Sequence, residues 1–134
     1  ELSPGKYLTD HKVILNENLT IDGGSSPDYG GSVSNINPEQ KLAAAVSSCF
    51  MMTFLALAAK MKWPVKNYKD KAISYLGKNN EGRMYVNKIE LNPQIIFDND
   101  FTISDDEMHK MKERSHKYCF IANSLSKDVE IKIN

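Results

Sequence analysis

Asn37-Pro38-Glu39-Gln40-Lys41-Leu42-Ala43-Ala44-Ala45-Val46-Ser47-Ser48-Cys49-Phe50 opens the stretch that decides the fold, and it runs on through Met51 to Lys60. Asn37 is a good N-cap, Pro38 suits the first helical position, Glu39 puts an acid in the first turn, and Gln40 closes a capping box. A helix is predicted from Pro38 to about Met61, ending before Trp63-Pro64. Between Leu42 and Ala59, eighteen consecutive residues carry no charge. A helix apolar on every side is expected to be buried on every side.

Eighteen helical residues span about 27 Å, close to the hydrocarbon thickness of a bilayer. Ser47, Ser48, Cys49, Thr53 and the alanines make poor transfer energy. Lys41 and Lys60 flank the run without the charge asymmetry that orients a membrane span. A core helix is therefore expected, with no membrane. Its small residues from Ala43 to Cys49 point to close approach of another helix, inside a subunit or across a dimer interface.

Upstream, Val13-Ile14-Leu15 and Leu19-Thr20-Ile21 flank the polar turn Asn16-Glu17-Asn18 and read as a hairpin. From Asp22 to Asn35 the composition shifts to Gly, Ser, Pro and Asp, which reads as a loop. Downstream, Val65–Leu76 and Met84–Leu91 read as a second hairpin around a polar turn, with Ile95-Ile96-Phe97 extending the second strand beyond Pro93. Ser104-Asp105-Asp106-Glu107 is another capping box. The helix it opens sets Met108, Met111, Ser115, Tyr118 or Cys119, Ala122 and Leu125 on one stripe. Val129, Ile131 and Ile133 then alternate with polar residues as a closing strand. The expected class is α+β. Its parts are an N-terminal hairpin and loop over 12–36, a buried helix over 37–62, a hairpin over 65–97, a second helix over 104–125 and a strand over 128–134.

A chain of 134 residues suits one domain with an unstapled core. Seventeen basic residues balance seventeen acidic ones, which removes the electrostatic footprint of a nucleic-acid binder or polybasic surface protein. The two cysteines are too few for a secreted disulfide scaffold or a four-thiolate metal site. Glu1-Leu2-Ser3-Pro4-Gly5 shows neither the basic nor the apolar segment of a leader. A reducing, cytoplasmic setting is expected, with no metal and no cofactor.

A cysteine inside an apolar helix is ordinarily an inert core residue. Cys119 on the stripe of the second helix reads the same way, and the residues alone add only that both thiols sit on inward faces of helices expected to pack together, where a disulfide can form if they meet. The resemblance that follows is what lifts them above the inert reading. The stretch from Asn37 to Phe50 closely resembles the first cysteine motif of the organic hydroperoxide resistance branch of the OsmC family: Asn-Pro-Glu-Gln, an alanine-rich turn, then Ala-Cys-Phe. His116-Lys117-Tyr118-Cys119-Phe120-Ile121-Ala122-Asn123 is similar to that family's second motif, His-x-x-Cys-Pro-x-Ser-Asn. The 70-position spacing of the cysteines fits as well, and the resemblance covers about residues 13–134.

That resemblance implies an OsmC-like fold, with two central helices packed against sheets in an intertwined homodimer. It also implies a thiol peroxidase active in oxidative stress. Cys49 would be the peroxidatic thiol and Cys119 the resolving one, joined in an intramolecular disulfide that an external dithiol, such as a lipoylated protein, reduces. The substrate would be an organic hydroperoxide held in an apolar pocket, for which Met51, Met52, Phe54 and Trp63 are the candidate lining. Glu39 corresponds to the motif's acid, which in the family orients an arginine. Ten residues separate Glu39 from Cys49, about 15 Å along one helix, so a joint site needs a bridging cation or a second subunit. A dimer with interfacial sites is the expectation.

Two departures from the pattern stand out. The family's arginine comes from the N-terminal hairpin, where this chain has none. His11, Lys12, Arg114 and Arg83 are the candidate replacements for favouring the Cys49 thiolate. Phe120 replaces the motif's proline, and Ala122 its serine. The alternative reading is a non-catalytic or degenerate relative that binds a hydrophobic ligand or partner in the same pocket. A cysteine hydrolase built on His116 and Cys119 lacks an oxyanion-hole loop. A metal site from His109, His116, Cys119 and Cys49 lacks any Cys-x-x-Cys spacing.

Overall fold

A computed structural model describes residues 8–134; Glu1-Leu2-Ser3-Pro4-Gly5, read above for a leader, lies outside the described residues. The chain forms two compact units, one ending at Lys41 and the other running Leu42–Asn134.

In the first unit, β1 (His11–Asn16) and β2 (Leu19–Gly23) form the expected antiparallel hairpin, with Val13 opposite Ile21. The Gly/Ser stretch is a loop with one short 3-10 turn at Pro27–Tyr29, and Gly30 ends that turn at φ 83°, a conformation other residues rarely adopt. Asp22 and Gly24 then bond through their backbones to Ile36 at 3.0 and 3.2 Å, which returns the chain to the hairpin. The capping box is reciprocal: the Gln40 N–H donates to Asn37 Oδ1 at 2.8 Å, and the Asn37 N–H to Gln40 Oε1 at 3.0 Å. It opens α1, Pro38–Lys60, within a residue of the predicted end.

The second unit is built on the body of α1. Ala43, Val46, Phe50, Phe54 and Ala58, spaced at three and four, are its buried stripe. They share a core with Ile89, Leu91, Met111 and Cys119. Burial on every side is not reached within a single chain. Ala44, Ala45, Ser48, Met52, Ala56 and Ala59 face outward within this chain. An uncharged helix with a single buried stripe leaves an apolar face uncovered, a point that composition alone does not reveal.

The run Val65–Leu76 is two strands rather than one. β3 (Val65–Lys69) pairs antiparallel with β6 (Gln94–Phe97), while β4 (Ile73–Lys78) pairs antiparallel with β5 (Met84–Leu91). Asp70 pins the corner, accepting from Ser47 Oγ of α1 at 2.5 Å and from the Asn92 N–H at 2.6 Å. Opposite it, Pro93 has no N–H to continue a ladder, so β5 stops at Leu91 and β6 changes sheet. β7 (Glu130–Ile133) returns parallel to β5, pairing Ile131 with Ile89, and completes the three-stranded sheet.

Ser104 opens the next helix as predicted, its hydroxyl accepting the Glu107 N–H at 3.1 Å. That helix is interrupted: α2 covers Asp105–Lys117, and after a break at Tyr118 and Cys119, α3 covers Phe120–Ser124. Asn123 holds the break by donating its side-chain N–H to the Lys117 carbonyl at 2.9 Å, an acceptor that α2 leaves without an intrahelical partner. The apolar stripe continues across the interruption, which is why periodicity reads it as one helix. Replacing Ser104 with Ala should cost about 1 kcal/mol, measurable as a fall of several degrees in Tm.

Candidate functional site

Cys49 sits midway along α1 and Cys119 occupies the break between α2 and α3. Packing of that break onto α1 brings the two thiols within hydrogen-bonding reach of each other, and both are free. Their surroundings differ. Cys119 is fully buried, whereas Cys49 is partly exposed.

Cys49 forms part of the wall of a cleft of about 820 Å³. Ala45, Met52, Ala56 and Leu57 line it from α1, and Tyr118, Phe120 and Ile121 from the break. The outward face of α1 is therefore one wall of this cleft. Phe120 is 80% exposed and Met52 64%. Of the side chains expected to line a pocket, only Met52 does so. Phe54 is wholly buried among Phe50, Trp63 and Tyr68, and Trp63 packs edge-on against Phe97. Those aromatic residues form core; Met51 is half-buried and outside the lining.

Burial pushes the Cys49 thiol up, but the opposing contacts win. The Ile121 N–H, the Cys119 thiol and the Phe120 N–H favour the thiolate, and the net position lies below that of an ordinary thiol. The Thr53 hydroxyl also lies within reach of Cys49. It has a single proton, and that proton goes to the Cys49 carbonyl at 2.8 Å, so supporting the sulfur requires it to rotate. Cys119 moves the other way. Burial raises it, outweighing the Ala122 N–H, and the neighbouring Cys49 raises it further. The two sulfurs are thus shifted in opposite directions, the partly exposed one toward the thiolate and the buried one toward the thiol.

Of the four candidate cations, Arg114 is the one placed on the cleft, from the last turn of α2; Lys60 lines it too. Arg83 lies at the β4–β5 turn, where it meets Glu81 at 3.6 Å. His11 and Lys12 belong to β1 in the first unit, where His11 Nδ1 bonds the Thr9 carbonyl at 2.7 Å and Lys12 pairs with Asp22. Glu39 stands in the first turn of α1. His109 pairs with Glu113 at 3.0 Å, and His116 lines a separate pocket of about 400 Å³ with Lys112 and Ile131.

Sequence reasoning missed three contributors. The N–H groups of Phe120 and Ile121 leave no trace in side-chain identity. Asn123 was visible within the second motif, but its role at the break depends on an interruption that the continuous apolar stripe conceals.

Comparison with known proteins bears on the fold and the family. The family model described as OsmC-like protein matches residues 30–134. A Vibrio cholerae OsmC-like protein of unknown function superposes with a TM-score of 0.90 at 32% identity, covering 98% of this chain and 86% of that one. An organic hydroperoxide resistance protein from Legionella pneumophila superposes at 0.73 with 18% identity, covering 96% of each chain. The organic hydroperoxide resistance protein OhrB of Bacillus subtilis does so at 0.66 with 14% identity, covering 94% of this chain and 96% of that one. No curated protein matches. With a family model matched over residues 30–134 and 98% of its length superposed on a 32% identical relative, this chain belongs to the OsmC-like family.

Proposed function

We propose that this protein is a cysteine-based peroxidase that reduces organic hydroperoxides to alcohols. The observation that carries the reading is the pairing of a partly exposed Cys49 on the wall of an apolar cleft, its thiol shifted toward ionisation, with a buried Cys119 shifted the other way. The Cys49 thiolate attacks the distal peroxide oxygen and the O–O bond breaks. The alcohol leaves with a proton, and Cys49 becomes a sulfenic acid. Cys119 then displaces water from that sulfenic acid and forms the disulfide. An external dithiol, of the kind carried on lipoylated proteins, returns both thiols and takes away the two electrons' worth of oxidation. Such a cycle needs a reducing setting such as the cytoplasm.

Arg114 is the cation we assign to the cleft, where it steadies negative charge on sulfur or on the leaving oxygen. Glu39 acts through a cation rather than on Cys49 directly, since both lie on α1 ten residues apart. The uncovered apolar face of α1 is best covered by a second copy of the chain, giving a homodimer with a site in each half.

Mixing the reduced protein with an equivalent of cumene hydroperoxide and counting free thiols tests this reading. Both thiols should disappear within seconds, with one cumyl alcohol formed per disulfide. Thiols that persist for many minutes, together with saturable binding of an apolar ligand in the cleft, would point instead to a non-catalytic relative.

A further inference from the structure

Met108, His109, Lys112 and His116 recur at three-and-four spacing on one face of α2, and the thiol chemistry uses none of them. With Ile131 and Ile133 of β7 they line the pocket of about 400 Å³, which has no lining residue in common with the thiol cleft. Its apolar wall comes from Met108, Ile131 and Ile133. Among the described residues no group of three histidine, cysteine or carboxylate side chains is placed to hold a metal ion, so His109 and His116 do not make a metal centre.

The charge balance of the pocket points to its ligand. Lys112 is half-buried, and its ammonium donates to the Asn134 carbonyl at 2.9 Å. Among the described residues no carboxylate lies within ion-pairing distance of it. Glu113, on the same lining, takes His109 at 3.0 Å. Asp105 stands about two turns back along α2, roughly 10 Å from Lys112 along the axis. A cation held partly out of water without a counter-ion is costly, and burial pushes the Lys112 ammonium down from its ordinary range. His116 lies one turn farther along the lining, and its Nδ1 is buried with no hydrogen-bond partner among the described residues. We propose that this pocket binds an amphipathic carboxylate, its charge paired with Lys112 and its acyl chain laid against Met108, Ile131 and Ile133. An apolar wall with a few placed polar groups is the usual make-up of a small-molecule site, and an ammonium–carboxylate pair is among the stronger hydrogen bonds. A neutral alcohol leaves Lys112 without a counter-ion. Inorganic phosphate leaves the apolar wall unused.

Octanoate is the probe, titrated into the full chain at fixed pH and ionic strength and followed through the histidine ring resonances. The chain has three histidines; His109 and His116 belong to the pocket, and His11 in β1 serves as the internal control. The His116 resonances should shift saturably while those of His11 stay still. Lys112→Gln should weaken octanoate binding about tenfold or more, Lys112→Arg should recover most of it, and Arg114→Gln, which alters only the thiol cleft, should leave it unchanged. Octanol and inorganic phosphate should each bind about tenfold more weakly than octanoate or not at all. Equal affinity for octanol, equal affinity for phosphate, or an unchanged affinity in Lys112→Gln overturns the proposal.

Should Lys112→Gln fail to fold, contacts in the wild-type protein decide. Nuclear Overhauser effects from the octanoate chain should reach the methyl groups of Ile131 and Ile133. Effects confined to Leu57 and Ile121, which line the thiol cleft, refute the proposal, as does the lack of any saturable binding. Neither cysteine takes part in this readout, so the Cys49→Ser protein should bind octanoate as the wild type does. A protein that consumes no hydroperoxide can still pass the test, and the two readings fail separately.

Discussion

Cys49→Ser should stop hydroperoxide consumption, with a loss of at least about a hundredfold in rate, since removing a nucleophile commonly costs more than that. Serine is nearly isosteric, and Cys49 is only partly buried, so the variant should keep its fold. Cys119→Ser should behave differently. Its Cys49 still attacks and is left as a sulfenic acid with no thiol to resolve it. A sulfenic-acid-selective carbon nucleophile should then label Cys49 in Cys119→Ser, but neither thiol in wild type after a completed turnover. Mass spectrometry reads both outcomes. If Cys119→Ser lost the first oxidation step as completely as Cys49→Ser, the division of labour between accessible thiolate and buried resolving thiol would be wrong. A mild slowing of that step is expected, because the Cys119 thiol is one of the donors that favour the Cys49 thiolate.

On stability, Phe54→Ala should produce the largest single loss, about 3–5 kcal/mol. Phe54 is wholly buried on the inward stripe of α1 and packs within 6.5 Å, ring to ring, of Phe50, Trp63 and Tyr68. Truncating it removes the contact surface of three other aromatic residues and leaves a void that a continuous helix cannot close by shifting. Against a typical domain stability of about 5–15 kcal/mol, this is a large fraction. Lys110→Ala makes a suitable control, because it removes only an exposed pair with Asp106 at 3.1 Å, worth about 0.5 kcal/mol or less. Urea unfolding should separate the two substitutions clearly. A Phe54→Ala loss below about 1 kcal/mol would mean that this aromatic cluster is not the centre of the core.

The sequence by itself determined the parts governed by local chemistry. Both capping boxes, the ends of α1, the first hairpin, the β4–β5 hairpin and the closing strand follow from residues within a few positions of one another. The family was legible for the same reason, since the Asn37–Phe50 motif is contiguous. Tertiary structure decided everything that depends on distant residues meeting. Asp70 turns one predicted strand into two by bonding Ser47 and Asn92, more than twenty positions away on either side. The second helix breaks at Cys119 although its apolar stripe does not, because Asn123 takes over a carbonyl that a continuous helix would have used. The inward and outward faces of α1 were indistinguishable in a run without charge, so only packing could show which residues form core and which line the cleft. Sequence named Cys49 and Cys119 but could not give the opposite shifts in their acidity. Those follow from burial and from backbone N–H groups, which every residue except proline carries and which become specific only when the fold aims them.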